Sequence, residues 1–221
     1  MLMEGAGVAL GVGALTALLV RPVLTRLPEP PDGAGKRPYA DLVTPSFVLG
    51  CGLLAILGAG LAWLSLPRPV QPLWWVLGTL GLLLAAVDAR TTWLPLRLTR
   101  VAWSAMIVAV VLAAAWAVDL AVAGRAVVGA ALAGGLYLIV WLVSRGGFGF
   151  GDVRFAPLLG APTAAGSWTL LLWALVLGTL LGGLQGVFRL VRGRRSGFAY
   201  APAMLSGAFA ACGLLRLTGT S

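Results

Sequence analysis

Seven long apolar segments dominate this 221-residue chain and limit what it can fold into. A helix that crosses a bilayer needs about 20 mostly apolar residues. The segments that approach this length are Gly5–Val20, Pro45–Leu66, Leu73–Val87, Val101–Val118, Ala126–Ser144, Ser167–Leu190 and Ala199–Leu215. An eighth segment, Val153–Ala165, is apolar but short. Only 10% of the residues are charged, whereas a soluble domain carries about 25%. The pattern predicts an all-α, polytopic membrane helix bundle.

The basic residues predict how this bundle is oriented, because cytoplasmic loops of membrane proteins are enriched in Lys and Arg. With the N-terminus outside and eight crossings, one of them the short Val153–Ala165, thirteen of the 16 basic residues fall on the inner side. These thirteen are Arg21, Arg26, Lys36, Arg37, Arg90, Arg97, Arg100, Arg145, Arg154, Arg189, Arg192, Arg194 and Arg195. With seven crossings the cluster Arg189–Arg195 would face outward. We therefore expect about eight crossings and a multi-pass protein of the cytoplasmic membrane.

The net charge of +9 would suggest nucleic-acid binding in a soluble protein. In this chain the orientation of the bundle in the membrane explains the positive charge. We therefore expect the lipid bilayer as a partner and no nucleic acid. The chain has no histidine, which excludes Ser-His-Asp, Cys-His and HExxH chemistry. Its two cysteines, Cys51 and Cys212, lie in separate apolar segments and form no CxxC motif, which indicates buried apolar roles.

Two of the seven acidic residues stand at the ends of apolar segments. Asp88 ends the third segment and Asp152 begins the short one, and the orientation above places both at the cytoplasmic edge. The other five lie at the outer end of the first segment or in loops. A carboxylate in a membrane segment costs about 2.5–3.5 kcal/mol on insertion scales, so both aspartates are candidate functional residues.

Two close carboxylates cannot both ionise easily and therefore tend to share one proton. The ionised carboxylate then takes a proton from water, and the protonated one donates to the carbonyl oxygen of an amide. The pair predicts peptide hydrolysis with no metal and no other cofactor.

The residues around both aspartates resemble motifs of the type IV prepilin peptidases. The first motif is carried by Asp88, Leu94, Pro95, Leu98 and Thr99. The second, the GxGD signature, is carried by Gly147, Phe148, Gly149, Phe150, Gly151, Asp152, Val153 and Arg154, with Arg154 where Lys is usual. Downstream, the run from Gly197 to Pro202 resembles the family's Phe-Gly-Pro segment, but it has Ala199 for Gly and one additional residue.

The resemblance implies cleavage of prepilin or pseudopilin leader peptides at the cytoplasmic face, with Asp88 and Asp152 as the catalytic pair. It divides the chain into an N-terminal helix pair with a short cytoplasmic loop (residues 1–70) and a membrane aspartyl peptidase core (71–221). Larger members also methylate the new N-terminus and carry a cysteine-containing cytoplasmic domain. The loop Arg21–Asp41 is short and has no cysteine, so a peptidase without methyltransferase activity is expected.

Two alternatives remain open. A presenilin-like intramembrane protease shares the GxGD signature, but both aspartates lie at segment ends and Leu94-Pro95 follows the first. In a non-catalytic transport or assembly protein the aspartates would carry protons. Transporters usually place such groups near mid-membrane and show repeat symmetry, and neither is visible in this sequence.

Overall fold

A computed structural model of the chain describes residues 2–29, 37–145, 148–193 and 199–219. Within these ranges the chain forms eight long helices and no strand. They are α1 (Leu2–Leu24), α2 (Pro45–Ser65), α3 (Arg68–Thr91), α4 (Leu96–Ala117), α5 (Leu120–Val143), α6 (Phe150–Gly166), α7 (Trp168–Val191) and α8 (Ala201–Thr218). The prediction of an all-α helix bundle is confirmed.

Seven of the described helices are long and apolar enough to cross a membrane, which indicates a multi-pass membrane protein. The remaining helix, α6, is the predicted short one. Its 17 residues correspond to about 25 Å at 1.5 Å per residue. From residue 152 to residue 165 almost every side chain is buried, so α6 lies inside the bundle and its flanks do not meet lipid. The number of crossings and the orientation remain predictions.

The structure lengthens the predicted segments Leu73–Val87 and Val101–Val118 into α3 and α4. Only residues 92–95 separate the two helices. Thr92 adopts the left-handed conformation (φ 55°) that ends α3, and Pro95, which has no N–H to donate, precedes the first residue of α4. The predicted ends were wrong because hydropathy marks the apolar part of a helix, whereas helical hydrogen bonding continues into its polar ends.

The first turn of α6 also begins earlier than predicted. The segment Val153–Ala165 was expected, and the helix starts three residues before it, at Phe150, with Gly149 as its N-cap. Asp152 therefore lies within the first helical turn, and its own backbone N–H donates to the Gly149 carbonyl oxygen (3.1 Å).

Two helices, α3 and α6, occupy the centre of the bundle. In α3, 78% of the most apolar stretch is buried, compared with 22–50% in the other six long apolar helices. The middle of α3 is a π-helical segment, Leu77–Gly81, in which the Thr79 hydroxyl donates to the Trp75 carbonyl oxygen (2.7 Å). The aspartates of both motifs therefore lie on the two central helices.

Neighbouring helices approach each other closely where glycines face each other. A Cβ added to Gly160 of α6 would collide with the Gly129 carbonyl oxygen of α5. A Cβ added to Gly207 of α8 would collide with the backbone N and Cα of Gly178 of α7. Small residues permit this contact because no side chain keeps the backbones apart, and such packing is a main source of association between membrane helices.

We expect Gly160→Ala to destabilise the bundle, because the added methyl group must separate α5 from α6. Overpacking of this kind costs about 1–3 kcal/mol. The measurement is thermal unfolding of the purified protein in lipid nanodiscs. Gly135→Ala on α5 is the matched control, since a Cβ there meets nothing within 4 Å. Equal melting temperatures for the two variants would contradict the importance of this contact.

Candidate active site

A single backbone N–H brings the two motif aspartates together. The N–H of Ala201, the first residue of α8, donates to Oδ2 of Asp88 at 3.2 Å. The same N–H lies within hydrogen-bonding reach of the Asp152 carboxylate, which also feels the charge of Asp88. Although they are 64 residues apart in the chain, the carboxyl groups of Asp88 and Asp152 therefore face a common point.

Three helix ends meet at this point. Asp88 lies in the last turn of α3, Asp152 in the first turn of α6, and Ala201 begins α8. Both aspartates are almost completely buried, with 4% and 6% of their surface exposed. The exposed Arg90 follows Asp88 by two residues on the same helix end. The site thus lies at an end of the bundle where charged side chains begin, and not at its middle.

One oxygen atom of the Asp152 carboxylate is available to bind water or substrate. Its Oδ1 is buried and has no hydrogen-bond partner among the described residues. A buried carboxylate oxygen normally has a partner, because leaving it without one is costly. An oxygen in this condition is suited to accept a hydrogen bond from a bound water or from a substrate group.

Two glycines of the second motif lie where a side chain would press on neighbouring residues of the site. A Cβ on Gly151 would lie 3.1 Å from both Cβ and Cδ1 of Leu94, so this glycine holds the first turn of α6 against the turn that follows Asp88. A Cβ on Gly149 would lie 2.9 Å from Oδ2 of Asp152. Gly147, the other glycine of the motif, lies outside the described residues.

The remaining motif residues support local structure. The buried Thr99 hydroxyl donates to the carbonyl oxygen of Pro95 (3.0 Å), which closes the first turn of α4. The guanidinium of Arg154 lies over the Phe150 ring at 4.7 Å, and the Arg154 carbonyl oxygen accepts a hydrogen bond from Nε1 of Trp103 (3.0 Å). The last contact ties the start of α6 to α4.

Sequence reasoning missed two tyrosines beside the aspartates. Tyr137 of α5 and Tyr200, which precedes α8, are in mutual contact, and Tyr137 lies within the electrostatic reach of Asp152. The chain has only three tyrosines, so two in one place could have been noticed once the helices were paired. A single tyrosine in an apolar segment belongs to no motif with a defined spacing, so the sequence alone does not mark it as a site residue.

Within the described ranges, no group of three or more His, Cys, Asp or Glu side chains is close enough to hold a metal ion. In this part of the chain the bundle brings Asp88 and Asp152 together, and their chemistry is that of a carboxyl pair.

Comparison with known proteins points to the region of the chain that contains the two aspartates. A model of the type IV leader peptidase family matches residues 75–187, just over half of the chain, and this range contains both aspartates. No curated protein and no solved structure gives a match. The family match extends from α3 into α7, so it covers most of α3 and the whole of α6, the two central helices of the bundle. The chain therefore belongs to the type IV leader peptidase family, a family of proteases.

Proposed function

We propose that this protein is an aspartic endopeptidase of the cytoplasmic membrane that removes the leader from prepilin-like precursors. The observation that carries the proposal is the convergence of two buried carboxylates on the Ala201 N–H, with Oδ1 of Asp152 left without a partner among the described residues. The family match supports peptide hydrolysis as the reaction. Asp88 and Asp152 are the proposed catalytic residues.

The proposed mechanism uses one proton shared by the two aspartates. Burial and mutual repulsion disfavour a doubly charged pair, so one carboxyl group is protonated and the other is ionised. The ionised group accepts a proton from water, whose oxygen attacks the amide carbonyl carbon. The protonated group donates to the carbonyl oxygen. As the tetrahedral intermediate collapses, the first group gives the proton that it accepted from water to the departing amine, and the second group takes back the proton of a hydroxyl, which restores the pair.

The depth of the pair favours a peptide bond near the membrane surface. Asp88 and Asp152 lie at helix ends, close to the basic residues that predict the cytoplasmic side. A leader peptide joined to an apolar helix presents its cleavage site at such an edge, with the apolar helix beside the bundle in lipid. A presenilin-like protease cuts within the apolar part of its substrate, and a pair of aspartates at the ends of helices is less suited to that reaction.

The proposal is limited to peptidase activity. The connection between α1 and α2 is short and contains no cysteine, so the cysteine-containing domain of the methylating members has no counterpart there. We accordingly infer a prepilin or pseudopilin precursor and the lipid bilayer as partners, and no further substrate.

Replacing either proposed catalytic residue with its amide should abolish cleavage. Asp88→Asn and Asp152→Asn keep the shape of the side chain but remove its acid–base function, which is worth about 100-fold or more in rate. The measurement is gel mobility of a co-expressed reporter precursor whose leader ends in glycine before an apolar helix. Mass spectrometry of the product locates the cut.

Asp119→Asn is the matched control. Oδ1 of Asp119 caps α5 by accepting the Ala121 N–H (2.8 Å), and asparagine caps helices equally well. It should cleave at the rate of the unchanged protein. Full-rate cleavage by either variant of the pair would contradict the dyad, and a cut inside the apolar stretch would favour the presenilin-like alternative. Failure of the unchanged protein to cut the reporter would contradict the proposed substrate class.

A smaller effect is expected from Gly151→Ala. The new methyl group would press on Leu94 and move the turn after α3 by a few tenths of an ångström relative to α6. Because displacements of about 1 Å in active sites cost about 100-fold, we expect roughly a tenfold loss of cleavage rate. Gly135→Ala, where a Cβ meets nothing within 4 Å, is the control. Equal rates for both variants would show that this contact does not position the pair.

A further inference from the structure

Three aromatic rings form a closed cluster next to the aspartates, and we refer to Tyr137, Phe148 and Tyr200 as the aromatic cluster. Tyr137 stacks on Phe148 with ring centroids 5.7 Å apart and an angle of 18°. Tyr200 meets the edge of both rings, at 5.9 Å from Tyr137 and 5.1 Å from Phe148. The cluster therefore joins α5, the residues before α6 and the residue before α8.

Hydroxyl groups connect this cluster to the rest of the site. The Tyr137 hydroxyl forms one hydrogen bond with the side chain of Thr179, on α7, and another with the side chain of Tyr200. Tyr137 is buried and lies close enough to Asp152 to feel its charge. One side chain of α5 is thus linked to α7, to the start of α8 and, electrostatically, to the start of α6.

The Tyr200 ring lies directly on the backbone of α7. A Cβ added to Gly182 would collide with the ring atoms of Tyr200, so the absence of a side chain at this position is what admits the ring. Gly182 lies three residues after Thr179, and residues with this spacing share one face of a helix. The ring of Tyr200 is therefore fixed by α7 beneath it and by Tyr137 and Phe148 at its side.

The Tyr200 backbone leads into the site. The N–H that donates to Asp88 and lies within reach of Asp152 belongs to the peptide bond between Tyr200 and Ala201, and Pro202 follows in the first turn of α8. Only the Cα and Cβ atoms separate the ring from this peptide bond, so a ring held against α7 restricts the rotation of the backbone at Tyr200. The position of the N–H depends on how firmly the ring is held.

We propose that Tyr137 and Tyr200 are positioning residues, which hold the Ala201 N–H between Asp88 and Asp152 for the reaction. The inference rests on the proposed function and adds to it the way in which the pair is aligned. Neither tyrosine needs to touch the substrate. Their loss should therefore slow the chemical step and leave substrate binding unchanged.

The first test removes a single oxygen atom. Tyr137→Phe keeps the stacked ring but loses its hydrogen bonds to Thr179 and Tyr200. With purified protein and the purified reporter precursor, we expect kcat to fall about tenfold, KM to stay within about twofold and the melting temperature to stay close to that of the unchanged protein. Tyr39→Phe is the matched control, since Tyr39 is equally buried and its hydroxyl has no hydrogen-bond partner among the described residues. It should retain full kcat.

The second test displaces the Tyr200 ring from outside the site. Gly182→Ala should lower kcat by roughly tenfold or more, because its methyl group occupies the space of the ring. Gly183→Ala, the same substitution one residue later, meets nothing within 4 Å and should be as active as the unchanged protein.

The Asp88→Asn and Asp152→Asn variants, assayed in parallel, separate the two proposals. If they cleave at full rate, the proposed function fails. If they are inactive while Tyr137→Phe and Gly182→Ala retain full kcat, only the positioning role is refuted. An increase in KM with kcat unchanged would likewise overturn it, because it would indicate a substrate contact, and so would an equal loss of kcat in Tyr39→Phe.

Discussion

One backbone N–H, that of Ala201, lies against two buried carboxylates, and the arrangement of the bundle around it makes this possible. Burying a carboxylate costs free energy unless a donor or a proton compensates for it. A shared donor compensates partly for two such groups, and it does so only while α3, α6 and α8 keep their ends together. The glycine contacts between α5 and α6 and between α7 and α8 keep the outer helices close to this centre.

The dipoles of the three helices act differently on the two carboxyl groups. Asp152 and Ala201 lie at the N-terminal ends of α6 and α8, where the helix dipole favours negative charge. Asp88 lies at the C-terminal end of α3, where the dipole opposes it. The two carboxyl groups therefore have different surroundings although they share a donor. Such a difference is what a pair needs if one member is to hold the proton while the other remains charged.

How far the sequence predicts this structure depends on the kind of signal. Long apolar segments predict helices well because a bilayer sets their length, but they misplaced the start of α4 at Val101, where polar helical turns precede the apolar part. Asp88 and Asp152 could be singled out because charge is rare in such segments. The contact of Gly151 with Leu94 and the pairing of Tyr137 with Tyr200 could not, because both depend on how distant helices are packed.

The π-helical segment Leu77–Gly81 has a consequence for the register of α3. A π-helical turn takes up one residue more than an α-helical turn, which rotates everything after it by about 100° relative to a regular helix. Trp74 and Asp88, on opposite sides of the segment, therefore do not have the angular relation that a helical wheel assigns to them. The face of α3 that carries Asp88 is set by this extra residue, so helices of relatives are comparable here only where they contain the same bulge.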